Sequence, residues 1–342
     1  MNNRTLLWLT GALTILATLA VLGQREPQTT QSGDMFLPRL QESLDEIQRI
    51  EVMGSGEEPI TTLERGEVEW TILERDGYPA DLNKIRHALL SLAETQILEA
   101  KTADPAFHDR LGVEAIAADT AGGIEVRLIG PAEPVEVIVG NTAGEYRRYV
   151  RRKNENQTYL INRDPEFGAT LTDWLDTTIV DVDSQRIRQV TVSHTDGETL
   201  IVSKDVRGQP SFSVENVPEE RELRYDSIAN VMGSVLDGLT LEDVERLTDT
   251  TAEVVETEFR TFDGLVIKTH ALERGEEGWV SFAATVDPTL PEEEVSEEMR
   301  VAAEAEAARI NARLQGWQYR ISTSKFDQLT RGMADLLQDS DG

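Results

Sequence analysis

The chain predicts an α+β protein, with an N-terminal transmembrane helix followed by two tandem repeats of antiparallel sheet plus helix. Three observations point there. The chain opens on a stretch without charge, one series of motifs recurs in order, and apolar residues alternate in some segments while recurring every three or four in others. The expected division is an anchor over 1–24, a linker over 25–36, a first repeat over 37–180 and a second over 181–342. The second repeat carries an inserted long helix at 292–315.

Residues 6–23 read LLWLTGALTILATLAVLG. At 1.5 Å per residue such a helix spans about 27 Å, close to the roughly 30 Å hydrocarbon core of a bilayer. Arg4 precedes it, while Arg25 and Glu26 nearly cancel after it. The bias predicts a single-pass protein of the inner (cytoplasmic) membrane with an extracytoplasmic, periplasmic body. A cleaved signal is the competing reading, with Val21-Leu22-Gly23 a poor cleavage site. The polar QREPQTTQSGD that follows reads as a linker.

The repeat rests on paired residues. Ile47, Ile50 and Val52 are echoed by Ile187, Val190 and Val192, and Thr62-Leu63 by Thr199-Leu200. Trp70 and Ile72 match Phe212 and Val214, and Leu98-Glu99 matches Leu241-Glu242. The offsets stay between 137 and 143, then rise to 160 for Tyr159 against Tyr319. An element inserted late in the second copy accounts for the rise.

Alternation predicts strands over 47–52, 61–63, 69–73, 124–129, 135–139, 147–151 and 158–161, with counterparts over 254–260, 265–269 and 279–283. Between them, Leu82, Ile85, Leu89 and Leu92 mark one face of a helix that Asp81 caps. Asp226 is expected to cap its equivalent, which carries Ile228, Met232 and Val235. The inserted helix starts with Pro291 and glutamates, carries Ala303, Ala307, Ile310 and Leu314 on one stripe, and stops at Gly316. Its Ala-rich stripe suits either close packing on a sheet or a partner's groove.

Composition excludes several classes. Lys and Arg number 33 against 63 Asp and Glu, a formal charge of −30, which repels nucleic acid. The absence of Cys removes disulfides, thiolate metal sites and thiol nucleophiles. Nucleophile elbows and phosphate-binding glycine loops are missing too. The four histidines, His87, His108, His194 and His270, lack metal-ligand spacing, and Asp181-x-Asp183 fails as a calcium loop because Arg186 occupies the glycine position. No catalytic residue, metal or cofactor is expected.

One stretch stands out from the acidic background. Arg147, Arg148, Arg151, Arg152 and Lys153, flanked by Tyr146 and Tyr149, suit a docking patch for an acidic partner, glycan or another copy of the acidic surface, or exposed positions on an edge strand that resists pairing. Lys101 suits either an ion pair with an acidic neighbour or a partner contact.

Leu37-Pro38, Ile47-x-x-Ile50, Leu63-x-Arg65, Trp70, Tyr78-Pro79-Ala80-Asp81, Lys101-Thr102, Leu111-Gly112-Val113, Tyr159-Leu160-Ile161 and Asp173-Trp174-Leu175 form an ordered series. On these residues the chain resembles domain-of-unknown-function family 4340 over about 36 to 340. That family has no established catalytic residues. The resemblance implies a protein associated with ABC-type exporters of the gliding-motility kind. The expected function is a non-enzymatic accessory or scaffold subunit of an ABC-type transporter complex, held by the membrane and by other subunits. The alternative is a periplasmic module that binds glycan, lipid or peptide.

Overall fold

In the computed structural model the described residues are 33–248, 254–289 and 296–338. They fall into two compact units: those up to Ile60 together with Arg86–Phe167, and Thr61–Ile85 together with those from Gly168 on.

The strands before residue 168 are β1 (Arg49–Met53), β2 (Pro59–Arg65), β3 (Trp70–Ile72), β4 (Tyr78–Pro79) and β5 (Ile97–Ala100). After them come β6 (Ile124–Ile129), β7 (Val135–Thr142), β8 (Arg148–Arg152) and β9 (Thr158–Ile161). In the first unit the order across the sheet is β1, β6, β7, β8, β9, β5, every neighbouring pair antiparallel. Strands β6 to β9 follow one another as a meander, the arrangement that short connections favour. Ile50, Val52, Val126, Leu128, Val137 and Val150 are buried from this sheet.

The helix Leu82–Ala93 starts as its residues dictate. Asp81 Oδ1 accepts from the amides of Asn83 at 2.9 Å and Lys84 at 3.2 Å, filling two of the donors a helix start leaves open. Ile85, Leu89 and Leu92 are buried, while Leu82 is 39% exposed and so leaves the stripe.

The second unit contains the ribbon β2–β3–β4 and the strands β10 (Thr178–Val180), β11 (Ile187–Ser193), β12 (Thr199–Ser203), β13 (Ser213–Val214) and β14 (Leu239–Thr240). Next are β15 (Asp243–Arg246), β16 (Val255–Thr261), β17 (Leu265–Arg274), β18 (Glu277–Val286) and β19 (Trp317–Ile321). Strands β10 and β14 pair with each other; the rest, ribbon aside, form a sheet ordered β13, β12, β11, β16, β17, β18, β19, β15. Its last six strands run in the order of the first unit's six. Ile50 and Val190 lie in β1 and β11, and Tyr159 and Tyr319 in β9 and β19.

The helix Glu297–Leu314 belongs to the second unit, between β18 and β19 in the chain. Ser296 caps it, and Ala303, Ala307 and Leu314 are buried as it lies along β18. Strand β19 pairs with β18 only at Gly278–Val280. Further along, the Asn311 side chain accepts from the Ala284 amide at 2.8 Å and donates to its carbonyl at 2.7 Å. The helix therefore supplies the hydrogen bonds a missing strand would have made.

Three sequence-based expectations need correction. The fold is dominated by two large antiparallel sheets rather than by an anchor with sheet-plus-helix repeats. Among the described residues no helix is long and apolar enough to cross a membrane, so the single-pass anchor and the inner-membrane location it implied are not supported. The 18-residue helix Glu297–Leu314 is long enough but carries charges around much of its surface. Residues 6–23, the linker up to residue 32 and the helix start at 292–295 lie outside the described residues. Finally, the helix expected after Asp226 shrinks to Asn230–Gly233, with Ala229 at its N-cap and no side-chain cap. Gly233 ends it, where an interior glycine weakens helix and the Phe212 ring fills the space beside it.

Candidate functional site

The basic stretch becomes strand β8, whose alternation sends Arg148 and Arg152 to one face and Arg151 to the other. The expected patch is thus split. Arg148 Nε donates to Asp164 Oδ2 at 2.7 Å, and a terminal nitrogen donates to the Gly140 carbonyl at 2.9 Å. Arg151 is 5% exposed and donates to the carbonyls of Val113 (2.7 Å), Lys153 (2.9 Å) and Glu155 (2.9 Å). Burial lowers its pKa, against the raising charges of Glu125 and Glu114. Arg152 donates to Glu155 Oε2 at 2.9 Å and to the Phe36 carbonyl at 2.5 Å, with its guanidinium over the rings of Phe36 and Tyr159. Arg147 stays exposed and makes no side-chain hydrogen bond or ion pair among the described residues. Lys101 pairs with Glu99 at 2.6 Å.

These cations are therefore mostly internal fasteners. Beside them Glu125, almost fully buried, accepts from Arg127 at 2.5 Å and from Lys153 at 2.7 Å. Burial works against the Lys153 charge, but the Glu125 hydrogen bond and charge outweigh it and raise the lysine pKa. The second unit repeats the device on β16: Arg260 Nε meets Glu258 at 2.6 Å, and the same guanidinium meets Asp287 at 2.6 Å.

The motif Tyr78 to Asp81 is also structural. Ala80 bridges Leu175, Asp81 caps its helix, and the buried Tyr78 hydroxyl donates to the Asp176 carbonyl at 3.2 Å. Burial pushes that phenol up to about 12. Tyr78 meets the Trp317 ring edge-on at 5.1 Å, and Arg246 lies 3.7 Å above the same indole. Trp174 is buried as well. His108 is buried against the Asn156 carbonyl at 2.9 Å, whereas His87 is exposed beside Glu166. Asp181 and Asp183 each accept a backbone amide, from Gly238 and Gln185. Among the described residues no group of His, Asp or Glu could hold a metal ion.

The first unit carries an accessible cleft of about 680 Å³ between the helical turn Leu40–Ser43 and residues 131–136, with 152–155 along its side. Its volume falls in the range usual for ligand sites. Leu37, Pro131, Pro134 and Val135 give it apolar surface over the buried Leu40, while Arg39, Glu42, Glu46 and Glu133 give it charge. Of the residues singled out from sequence, Leu37, Arg152 and Lys153 line it. The overlooked signal is Pro131-Ala132-Glu133-Pro134, whose two prolines stiffen the loop.

Both walls are fixed. Gly130 has φ 134°, and a Cβ there would lie 2.0 Å from the Glu46 carbonyl oxygen. Only glycine permits that approach, and the Gln48 amide donates across it to the Ile129 carbonyl at 2.8 Å. Arg152 ties the opposite side through the Phe36 carbonyl.

Antiparallel sheets with charges paired on them define a class of sheet-built protein. The family model described as Domain of unknown function (DUF4340) matches residues 70–258, more than half of the chain, and the chain belongs to that family. No curated protein and no solved structure matches it.

Proposed function

We propose that the chain is a non-enzymatic docking subunit, an accessory or scaffold component of an ABC-type transporter assembly, and that it takes no nucleic acid partner. The observation that carries the reading is the use of the titratable groups. Arg148, Arg151, Arg152 and Lys153 are spent on internal acceptors, which stiffens the sheet instead of activating a nucleophile. A rigid sheet with a preformed cleft suits recognition by shape and charge. The transporter as partner comes from the family resemblance, and the net charge of −30 supports the exclusion of nucleic acid.

Co-purification and cross-linking of the full chain with ABC-type transporter subunits test this. Recovery in a stoichiometric complex is expected. Recovery of the chain alone across mild conditions, or turnover of a substrate by the purified chain, overturns it. The cleft favours a second reading, a ligand-binding module for glycan, lipid or peptide, and of these three it fits peptide best.

A further inference from the structure

We infer that the cleft beside the turn Leu40–Ser43 receives an extended peptide segment bearing lysine or arginine from the partner protein. This rests on the docking function proposed above and names the chemistry of the segment that docks.

The argument is the charge left over in the cleft. Lys153 is neutralised by Glu125 at 2.7 Å and Glu136 at 3.3 Å, and Arg152 by Glu155 at 2.9 Å. Glu42, Glu46 and Glu133 are exposed, and their carboxylates have no hydrogen-bond or ion-pair partner among the described residues. Against these three carboxylates the cleft offers one exposed cation whose guanidinium lacks such a partner among the described residues, Arg39. An anionic ligand would meet the carboxylates, so the complementary occupant is cationic. The chain's net charge of −30 adds a long-range attraction of the same sign.

The apolar part selects a peptide over a bare amine. Leu37 and Val135, with prolines 131 and 134, provide surface on which aliphatic stems of lysine or arginine lie while their heads reach the carboxylates. The walls need no rearrangement, because Gly130 and Arg152 already hold them in place. A preformed cleft avoids part of the ordering cost of binding.

The test uses the full chain, an array of extended basic peptides containing proline, and the same array with glutamate in place of each lysine and arginine. Binding is followed by fluorescence anisotropy. Basic members should bind and acidic members should not, and affinity should fall about tenfold as salt rises from about 0.05 to about 0.5 M. E42Q/E46Q/E133Q, three exposed substitutions, should weaken binding about tenfold or more while leaving thermal unfolding unchanged. Equal binding by that variant, or no binding by any basic member, overturns the inference. The same variant mixed with transporter subunits separates the two proposals. A complex that forms as well with the variant leaves the docking function standing and removes the cleft from it. Basic-peptide binding lost in the variant, without any transporter complex, keeps the cleft and overturns the transporter partner.

Discussion

The two units share one strand order across six strands but close their sheets with different material. In the first, backbone meets backbone: a Cβ on Gly140 would lie 2.4 Å from the Leu111 carbonyl oxygen, and one on Gly123 2.1 Å from that of Gly112. In the second, side chain meets backbone: a Cβ on Gly278 would lie 2.2 Å from the Phe326 ring, and one on Gly233 2.3 Å from that of Phe212. Topology fixes which strands are neighbours, yet leaves open how the gaps beside them are filled. An aromatic ring can be exchanged for a smaller group; a carbonyl cannot.

That contrast carries the largest expected effect. Gly140→Ala should cost about 3 kcal/mol or more, because the obstructing carbonyls can move only with the turn that holds them. Gly278→Ala should be comparably damaging alone but regain part of its stability when combined with Phe326→Ala, which removes the ring atoms 2.2 and 2.3 Å from the added methyl. Urea unfolding of the four chains measures both. A G140A chain as stable as wild type, or a G278A chain that F326A makes worse, would break the comparison.

Next in size is the charge network each unit places on its sheet. Glu125 is buried under Arg127 and Lys153, whereas Glu258, with Arg260 and Lys268, keeps 16% of its side chain exposed. Removing a buried carboxylate takes a close acceptor from its cations, which keep only their remaining partners (Glu51 and Glu136, or Asp287 and Glu256), so Glu125→Gln should cost about 2 kcal/mol and Glu258→Gln about 1 kcal/mol. Equal losses would mean that water compensates both sites alike.

Asn311 has no counterpart in the first unit, where residues 153–157 join β8 directly to β9. Asn311→Ala leaves the amide and carbonyl of Ala284 without their partners and should cost about 1–2 kcal/mol. Hydrogen exchange should speed up at Ala284 and along the helix Glu297–Leu314, with β7 unaffected. Unchanged protection at Ala284 would show that the helix holds its place through Ala303 and Ala307 alone.

Much of this fold could be read from local chemistry. Strands β6 and β9 coincide with the alternating segments 124–129 and 158–161, and Asp81 caps the helix its position announces. Ile50 with Val190 and Tyr159 with Tyr319, paired on sequence, sit at matching places in the two sheets. The partners of the arginines could not be read. Arg151 is held by carbonyls at 113, 153 and 155, and Phe36 is brought to Arg152 by the fold alone. Five cations within the seven residues 147–153 therefore looked like a surface patch. The cleft was hidden for the same reason, since its walls come from segments about 90 residues apart.

The smallest effect is acid sensitivity in the second unit. Burial alone would raise the pKa of Asp263, but hydrogen bonds from Arg186 and Thr261 and the Arg186 charge hold it below the ordinary 3.8. Asp287 is likewise held below 3.8, where hydrogen bonds from Thr289 and then Arg260 outweigh burial. A carboxylate depressed in the folded chain contributes stability that is fully present above its unfolded pKa and is lost as pH falls through the folded value. The loss should therefore begin near pH 3.8 and continue below it. Trp70, Trp174, Trp279 and Trp317 all belong to the second unit, so in a Trp8→Phe chain tryptophan fluorescence follows that unit. Asp263→Asn with Asp287→Asn should make it less stable at neutral pH yet flatten its decline below pH 3.8. An unaltered slope would assign the acid response to other carboxylates and leave the Arg186 and Arg260 pairs as positioning contacts only.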